Sequence, residues 1–327
     1  MPAGFPILFI TSSRIGDAVL SSGLLAKLVE ETPNARVTVA AGPTSAPLFR
    51  DTPGLERLIV LEKRPFAGHW LRLWRRVRKT RWGVVVDLRG SKLSSFLKRR
   101  RRAVWAPRPP GGEPEHKVVE AARLLGLQDE PPAPHLHTSA ETEAAGAALL
   151  GEGGPVLALG PGATWRGKAW PSDRFARLAQ RLMQPGEAFE NGRVVILGAE
   201  ADRPAAEAIR RALPRGVAVD LTGRADLLTV YAALKRVRLF VGNDSGLAHL
   251  AAAAGAPTLA LFGPSDERRY APWGPRARAL RGPRPFEAFT AIDPQLNQPV
   301  QHMLDLQVPA VLEAARALLA DPSTSSA

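Results

Sequence analysis

Short apolar, β-branched runs recur along this chain, and most are followed by a segment of helical periodicity. Residues 5–11, 36–40, 58–61, 83–88, 103–105, 156–160, 193–197, 217–220, 239–242 and 258–262 read as strands. Helical patterns run from residue 15 through Val29 and over 116–125, 140–150, 172–183, 204–213, 226–235, 246–254 and 308–319. Strands without polar alternation are buried on both faces, as in parallel sheets covered by helices. The alternation therefore predicts an α/β chain built from doubly wound parallel sheets. At 327 residues two domains are expected. Breaker-rich segments at 131–134 and 151–155 put the boundary near 151, giving domains 1–150 and 151–327. Ligands of such sheets sit beyond the strand C-termini, and two such domains facing each other would form a cleft. The tail 321–327 reads as frayed.

Charge is distributed unevenly. Lys and Arg exceed Asp and Glu by 13 over the chain. From Lys63 to Arg108 there are 16 basic residues and one acid, Asp87. Such a segment attracts polyanions or an anionic membrane face. Trp70, Leu71, Leu73, Trp74 and Val77 read as the apolar side of a helix, with Arg72, Arg75, Arg76 and Lys79 largely opposite. A basic helix lying on the protein body, close to a membrane surface, fits this pattern. The chain has no Cys, which excludes disulfides, thiolate metal sites and a Cys nucleophile. No apolar run approaches the roughly 18 residues of a transmembrane helix. The N-terminus lacks the charged-then-apolar layout of a signal peptide.

Four strand-to-loop segments carry candidate chemistry. In the segment 239–264 a strand ends at Gly242, and Asn243-Asp244-Ser245 leads into a small-residue helix from Gly246. A helix start offers free N–H groups and a positive dipole end to an anion. Gly246 admits a phosphate to the backbone, Ser245 can donate a hydroxyl, and His249 lies one turn on. Capping by Asp244 or Ser245 is the simpler reading, but it leaves His249 unexplained. G-N-D-S-G is not a nucleophile elbow, so Ser245 is not read as a hydrolase serine. In 157–171, Thr164, Arg166 and Lys168 sit in a Gly-rich loop. Gly162 to Lys168 matches G-x-x-x-x-G-K, but Ala169 follows and Pro171 blocks a continuing helix, so this is not a P-loop. Lys168 is read as a point charge on an oxyanion. In 10–17, Asp17 opens the first helix. Helix-dipole compensation, worth a few tenths to about 1 kcal/mol, and general-base chemistry stand level for it. Glu200, after the strand 193–197, is placed to accept from ribose hydroxyls. No metal-ligand spacing occurs, and no obligatory metal is expected; Mg²⁺ could still arrive with substrate phosphates.

Taken together, ILFITSSRIGDAVLSSGLLAKL, VVVDLRGSKLSS, GPGATWRGKAWPSDRFARLA and VGNDSGLAHLAAAAGAPTLALFGPSD resemble glycosyltransferase family 9, the ADP-heptose:lipopolysaccharide heptosyltransferases. The resemblance spans about residues 5–275. It implies a GT-B fold of two Rossmann-like domains, the N-terminal one for the acceptor and the C-terminal one for the nucleotide-sugar. It also implies a last helix, 308–319, that crosses back to the first domain. Inverting, metal-independent transfer of heptose from ADP-heptose to a hydroxyl of the lipopolysaccharide inner core would follow, with no obligatory cofactor. Asp17 matches the family's catalytic base. Thr164 and Lys168 match pyrophosphate contacts, and Asp244, Ser245, Gly246 and His249 match the donor motif D-[ST]-G-x-x-H. Glu200 matches an acid on the nucleoside, with adenine near Thr222 and Leu227. Arg14, Lys63, Arg64, Arg89 and Lys92 are candidates for the phosphorylated acceptor. The expected location is cytoplasmic, at the inner face of the membrane, with no nucleic-acid partner.

Two rival readings share the fold. One is a GT-B transferase or epimerase with another nucleotide-sugar. The other is a non-catalytic, basic polyanion-binding protein. The sequence does not assign the acceptor sugar, the oligomeric state or a role for the run 98–102.

Overall fold

A computed structural model describes residues 4–107, 111–296 and 300–321; Arg108 and the tail 322–327 lie outside the described residues. The chain divides into two compact units, Met1–Ser139 and Ala140–Ala327.

The first unit runs β1 (Phe5–Ile10), α1 (Ile15–Leu20), α2 (Ser22–Glu30), β2 (Ala35–Ala41), β3 (Leu55–Val60), α3 (Gly68–Val77), β4 (Trp82–Asp87), β5 (Arg99–Val104) and α4 (Lys117–Ala122). Its five strands lie in the order β3-β2-β1-β4-β5, with every pairing parallel. Ile7, Leu8, Phe9 and Ile10 of β1 are all fully buried. Side chains alternate across a strand, so full burial of four in a row requires cover on both faces of the sheet. On one face Leu8 and Ile10 join Leu73 and Val77 of α3, Trp82, Val85, Leu93 and Leu97.

The second unit runs α5 (Ala140–Leu150), β6 (Val156–Gly160), α6 (Ser172–Leu182), β7 (Arg193–Ile196), α7 (Arg203–Ala212), β8 (Ala218–Asp220), α8 (Leu227–Leu234), β9 (Leu239–Asn243), α9 (Gly246–Ala253), β10 (Thr258–Phe262), α10 (Glu267–Tyr270), β11 (Ala277–Arg281), α11 (Phe286–Ile292) and α12 (Val308–Ala320). Its sheet order is β11-β10-β9-β6-β7-β8, again parallel throughout. Renumbered from β6, this is the 3-2-1-4-5-6 order of the Rossmann fold. Trp170, Phe175, Leu178, Leu182, Val194, Ile196, Val241 and Leu261 form its core with Val311 and Ala315 of α12.

Two expectations need correction. The units meet at Ser139/Ala140, not near 151, because α5 packs on α8 of the second unit. Gly146 makes that approach so close that a Cβ there would stand 2.7 Å from the Ala232 Cβ. Val311, Ala315 and Leu318 of α12 are buried in the second unit's own core. Finally, the basic run 98–102 is largely strand β5, on the sheet edge, whereas only 103–105 was read as strand. On an edge, Arg stems pack while their heads reach solvent, and the charge discourages pairing with another chain. The elements β11, α10 and α11 had no sequence reading; β11 is another edge strand, and its Arg278 and Arg281 hide the β pattern.

Candidate active site

Both sheets reverse strand order at one point, between β1 and β4 and between β6 and β9. Loops leaving the C-terminal ends of those strands diverge and leave a crevice there. Arg14, Asp17, Arg89, Lys92, Thr164, Lys168 and Asp244–His249 follow these four strands, whereas Lys63 and Arg64 follow β3, Glu200 follows β7, and Thr222 and Leu227 follow β8.

In the first unit Ile10 and Asp87 end β1 and β4 as register partners. Asp17 lies in the first turn of α1, half-buried, and accepts a 3.3 Å hydrogen bond from Ser12 Oγ. Ser12 is held in turn, because Ser45 Oγ donates to its carbonyl at 2.6 Å. A Cβ on Gly42 would stand 2.4 Å from Ser13 Cβ, so only glycine lets β2's exit loop press so close. The loop after β4 is joined to the same site by Arg89, whose Nη1 donates to Ser13 Oγ at 3.3 Å. Asp87, fully buried, anchors that loop by accepting from Ser91 Oγ at 2.5 Å and from the Arg89 N–H at 3.0 Å. Burial pushes the Asp87 carboxyl above its ordinary value, against the opposing pull of the Ser91 and backbone hydrogen bonds. Of the acceptor candidates, the structure brings Arg89 to the Asp17 loop. Arg14 is exposed two residues past Ser12, Lys92 is exposed on a 3-10 turn (Lys92–Phe96), and Lys63 and Arg64 are exposed between β3 and α3.

In the second unit Lys168 and Asp244 meet across the switch point, Nζ to Oδ2 at 2.7 Å. Lys168 ends a 3-10 turn, Arg166–Lys168, and the following helix waits until Ser172, behind Pro171. The G-x-x-x-x-G-K match thus lacks the P-loop's strand–loop–helix form. Thr164 is exposed on the same loop. Asn243, with no exposed surface, ties that loop to β9. It accepts from the Trp170 N–H at 3.0 Å and donates to the Pro161 carbonyl at 2.7 Å. Trp170 is locked further by donating Nε1–H to the Leu306 carbonyl at 2.8 Å.

Ser245 is the residue before α9, but its side chain caps nothing. The Ser245 Oγ is buried and makes no hydrogen bond among the described residues. The first-turn N–H groups of α9 therefore receive no acceptor from the Ser245 side chain. The simple-capping reading of Asp244 and Ser245 is set aside by this geometry: one is paired with Lys168 and the other is idle. His249, buried, stands one turn into the same helix.

Glu200 is exposed after β7, and Arg203 grips it through two 2.6 Å hydrogen bonds. That bond holds the Glu200 carboxyl below its ordinary value. Arg203 also donates to the Thr222 carbonyl at 3.2 Å, which brings Glu200 and Thr222 into one cluster. The Thr222 hydroxyl donates to Asp220 Oδ1 at 2.6 Å. Leu227, half-buried, begins α8, whose N-cap Asp226 accepts from the N–H groups of Leu228 and Thr229. Sequence reasoning missed Asn243, Asp87 and Ser45. Asn243 had a signal, since a buried amide between a strand and a donor loop must satisfy three or four hydrogen bonds.

Two parallel doubly wound units of this kind, with an uncapped helix start and a lysine at the second switch point, are the architecture of the GT-B glycosyltransferases. Comparison with known proteins agrees. Residues 97–292 match the family described as Glycosyltransferase family 9 (heptosyltransferase), and the chain belongs to that family. It is an enzyme, a glycosyltransferase of heptosyltransferase type. Lipooligosaccharide heptosyltransferase 2 of Haemophilus influenzae is 28% identical over 316 residues, covering 84% of this chain and 88% of that protein. Lipopolysaccharide heptosyltransferase 2 of Salmonella typhimurium is 25% identical, covering 96% of this chain and 99% of its own. The solved structure of E. coli ADP-heptose lps heptosyltransferase II superposes with a TM-score of 0.76 at 24% identity, covering 96% and 98% of the two chains, which shows the shared fold.

Proposed function

We propose that the protein transfers a heptose from ADP-heptose to a hydroxyl of the lipopolysaccharide inner core, with inversion and without an obligatory metal. The observation that carries this reading is the Lys168–Asp244 pair at the second switch point, beside an uncapped helix start with an idle Ser245 hydroxyl. The names of its relatives supply the donor and acceptor classes.

The second unit is the donor domain. Lys168, Ser245 and the N–H groups at Gly246 bind the diphosphate, with Thr164 and His249 beside it, and Asp244 orients Lys168. Glu200, held by Arg203, receives the ribose, and the adenine lies by Thr222 and Leu227. The first unit presents the acceptor hydroxyl to Asp17. Asp17 takes the hydroxyl proton as the oxygen bonds to the anomeric carbon, and the bond from that carbon to the diphosphate oxygen breaks. One displacement inverts the anomeric centre. Negative charge gathers on the departing ADP, where the fixed cation and helix dipoles stabilise it. Phosphates of the acceptor fall to Arg14, Lys63, Arg64, Arg89 and Lys92. Among the described residues no helix is long and apolar enough to cross a membrane. We place the enzyme in the cytoplasm, at the inner face of the membrane where a lipid-borne acceptor is met.

Calorimetric titration with ADP, ADP-heptose, UDP and GDP tests the donor. Selective adenine-diphosphate binding, lost in His249→Ala, is expected. Preference for UDP or GDP would overturn the heptose donor and leave the fold untouched. Transfer that persists in excess chelator, with an inverted product by NMR, is the corresponding test of the chemistry.

A further inference from the structure

The apolar side of helix α3 is wider than the core beneath it covers. Leu73 and Val77 are buried in the first unit's core. Trp70 and Trp74 pack against that core with one side and, with Leu71, Leu93, Phe96, Ser91 and Lys92, line an open groove of about 520 Å³. Leu71 keeps 49% of its surface exposed and Phe96 keeps 72%. Large apolar side chains gathered in one open groove mark a docking surface, since single ones are ordinary but clustered ones are costly to leave wet.

The rim of this groove is cationic. The Arg78 guanidinium lies 5.0 Å from the centre of the Trp74 ring, and that of Arg89 lies 5.2 Å from the centre of the Trp70 ring. Lys92 is part of the wall. Arg99 reaches the carbonyls of Ser95 and Leu97 on either side of Phe96. No acid appears among the groove residues, and Asp87 is the single acid between Lys63 and Arg108. An apolar floor of Trp, Leu and Phe under an Arg/Lys rim complements an anionic phospholipid surface. Phosphates sit at the guanidinium level, Trp rings at the headgroup boundary, and Leu71 and Phe96 below it.

We propose that the groove between α3 and the 92–96 turn is the membrane-insertion face of this enzyme, seated on anionic bilayer lipid. The inference rests on the membrane-resident acceptor proposed above and names the side chains that meet the bilayer. Two apolar side chains entering the acyl boundary are worth at least about tenfold in partition each.

The test is co-sedimentation of the full chain with vesicles of phosphatidylglycerol and phosphatidylethanolamine, against phosphatidylcholine alone. Binding to the anionic vesicles that weakens with salt is expected. Leu71→Ser/Phe96→Ser should bind at least about tenfold more weakly, while keeping calorimetric ADP binding and transfer to a deacylated, water-soluble acceptor. Both side chains are exposed, so the fold should tolerate the change. As a measurement on the unaltered protein, quenching of Trp fluorescence by brominated lipid should appear with the anionic vesicles. Vesicle binding unchanged in the double variant, no vesicle binding, or no quenching would each overturn the proposal. So would a dimer in solution that the double variant converts to monomer, since a second copy would then own the groove. Failure of ADP binding and soluble transfer would instead strike the proposed function.

Discussion

Lys168 Nζ and Asp244 Oδ2 lie 2.7 Å apart, the lysine side chain 22% exposed and the carboxylate 7%. They come from loops after β6 and β9, 76 residues apart in sequence. The pair fixes a cation at the sheet's switch point before any diphosphate arrives, which lowers the reorganisation needed at the moment of transfer. Its two halves are unequal. Lys168→Ala strands a buried carboxylate, whereas Asp244→Asn leaves a lysine that can turn to water. Lys168→Ala should cost more stability, about 1–3 kcal/mol in urea unfolding, and Asp244→Asn less. Both should raise the donor KM. Equal stability losses would argue against this asymmetry.

Asp17→Asn should leave ADP affinity within about twofold and lower kcat by about 100-fold or more. Lost donor binding with intact turnover would remove the base assignment.

Ser245→Ala separates binding from folding. The Ser245 hydroxyl has no hydrogen-bond partner among the described residues, so unfolding stability should change by less than about 0.5 kcal/mol. A hydroxyl bond to a charged phosphate is worth about 1.5–3 kcal/mol, so ADP affinity should fall about tenfold or more by calorimetry. Unchanged ADP affinity would move the diphosphate away from Ser245.

Asn243→Ala leaves the Trp170 N–H and the Pro161 carbonyl without their buried partner. Two such groups should cost about 2–5 kcal/mol in denaturant, and donor affinity should drop because the Lys168 loop is released. A loss below about 1 kcal/mol would show that Asn243 does not hold the loop.

Asp87 gives a pH signature. Burial raises its native carboxyl above the ordinary 3.8, so the folded state holds this proton where the unfolded chain has lost it. Stability from this group is therefore present below the ordinary value and declines as pH rises through the window up to the native value. Carboxyls such as Glu267, held low by its hydrogen bonds with Arg281, slope the other way but are shared with Asp87→Asn and cancel. Wild-type stability minus that of Asp87→Asn, measured in urea from pH 3 to 7, should fall with pH and then level. A difference that climbs with pH would reverse the assigned direction.

The sequence by itself determined the alternation, and with it the parallel sheets. β1, β4, β6, β9 and β10 are runs so apolar that only burial on both faces accommodates them. It also put the candidate residues Asp17, Lys168 and Asp244–His249 on the segments that follow buried strands. Tertiary structure decided the rest. Charged edge strands β5 and β11 escape a hydrophobic pattern because an edge needs little burial. Helix α5 joins the second unit because Gly146 lets it approach α8, a contact no local periodicity encodes. The pairing of Lys168 with Asp244, the idle Ser245 hydroxyl and the buried Asn243 brace exist only once β6 and β9 lie side by side. Hydrogen bonds and ion pairs between loops distant in the chain are set by where the strands end, and strand order is a property of the packed sheet.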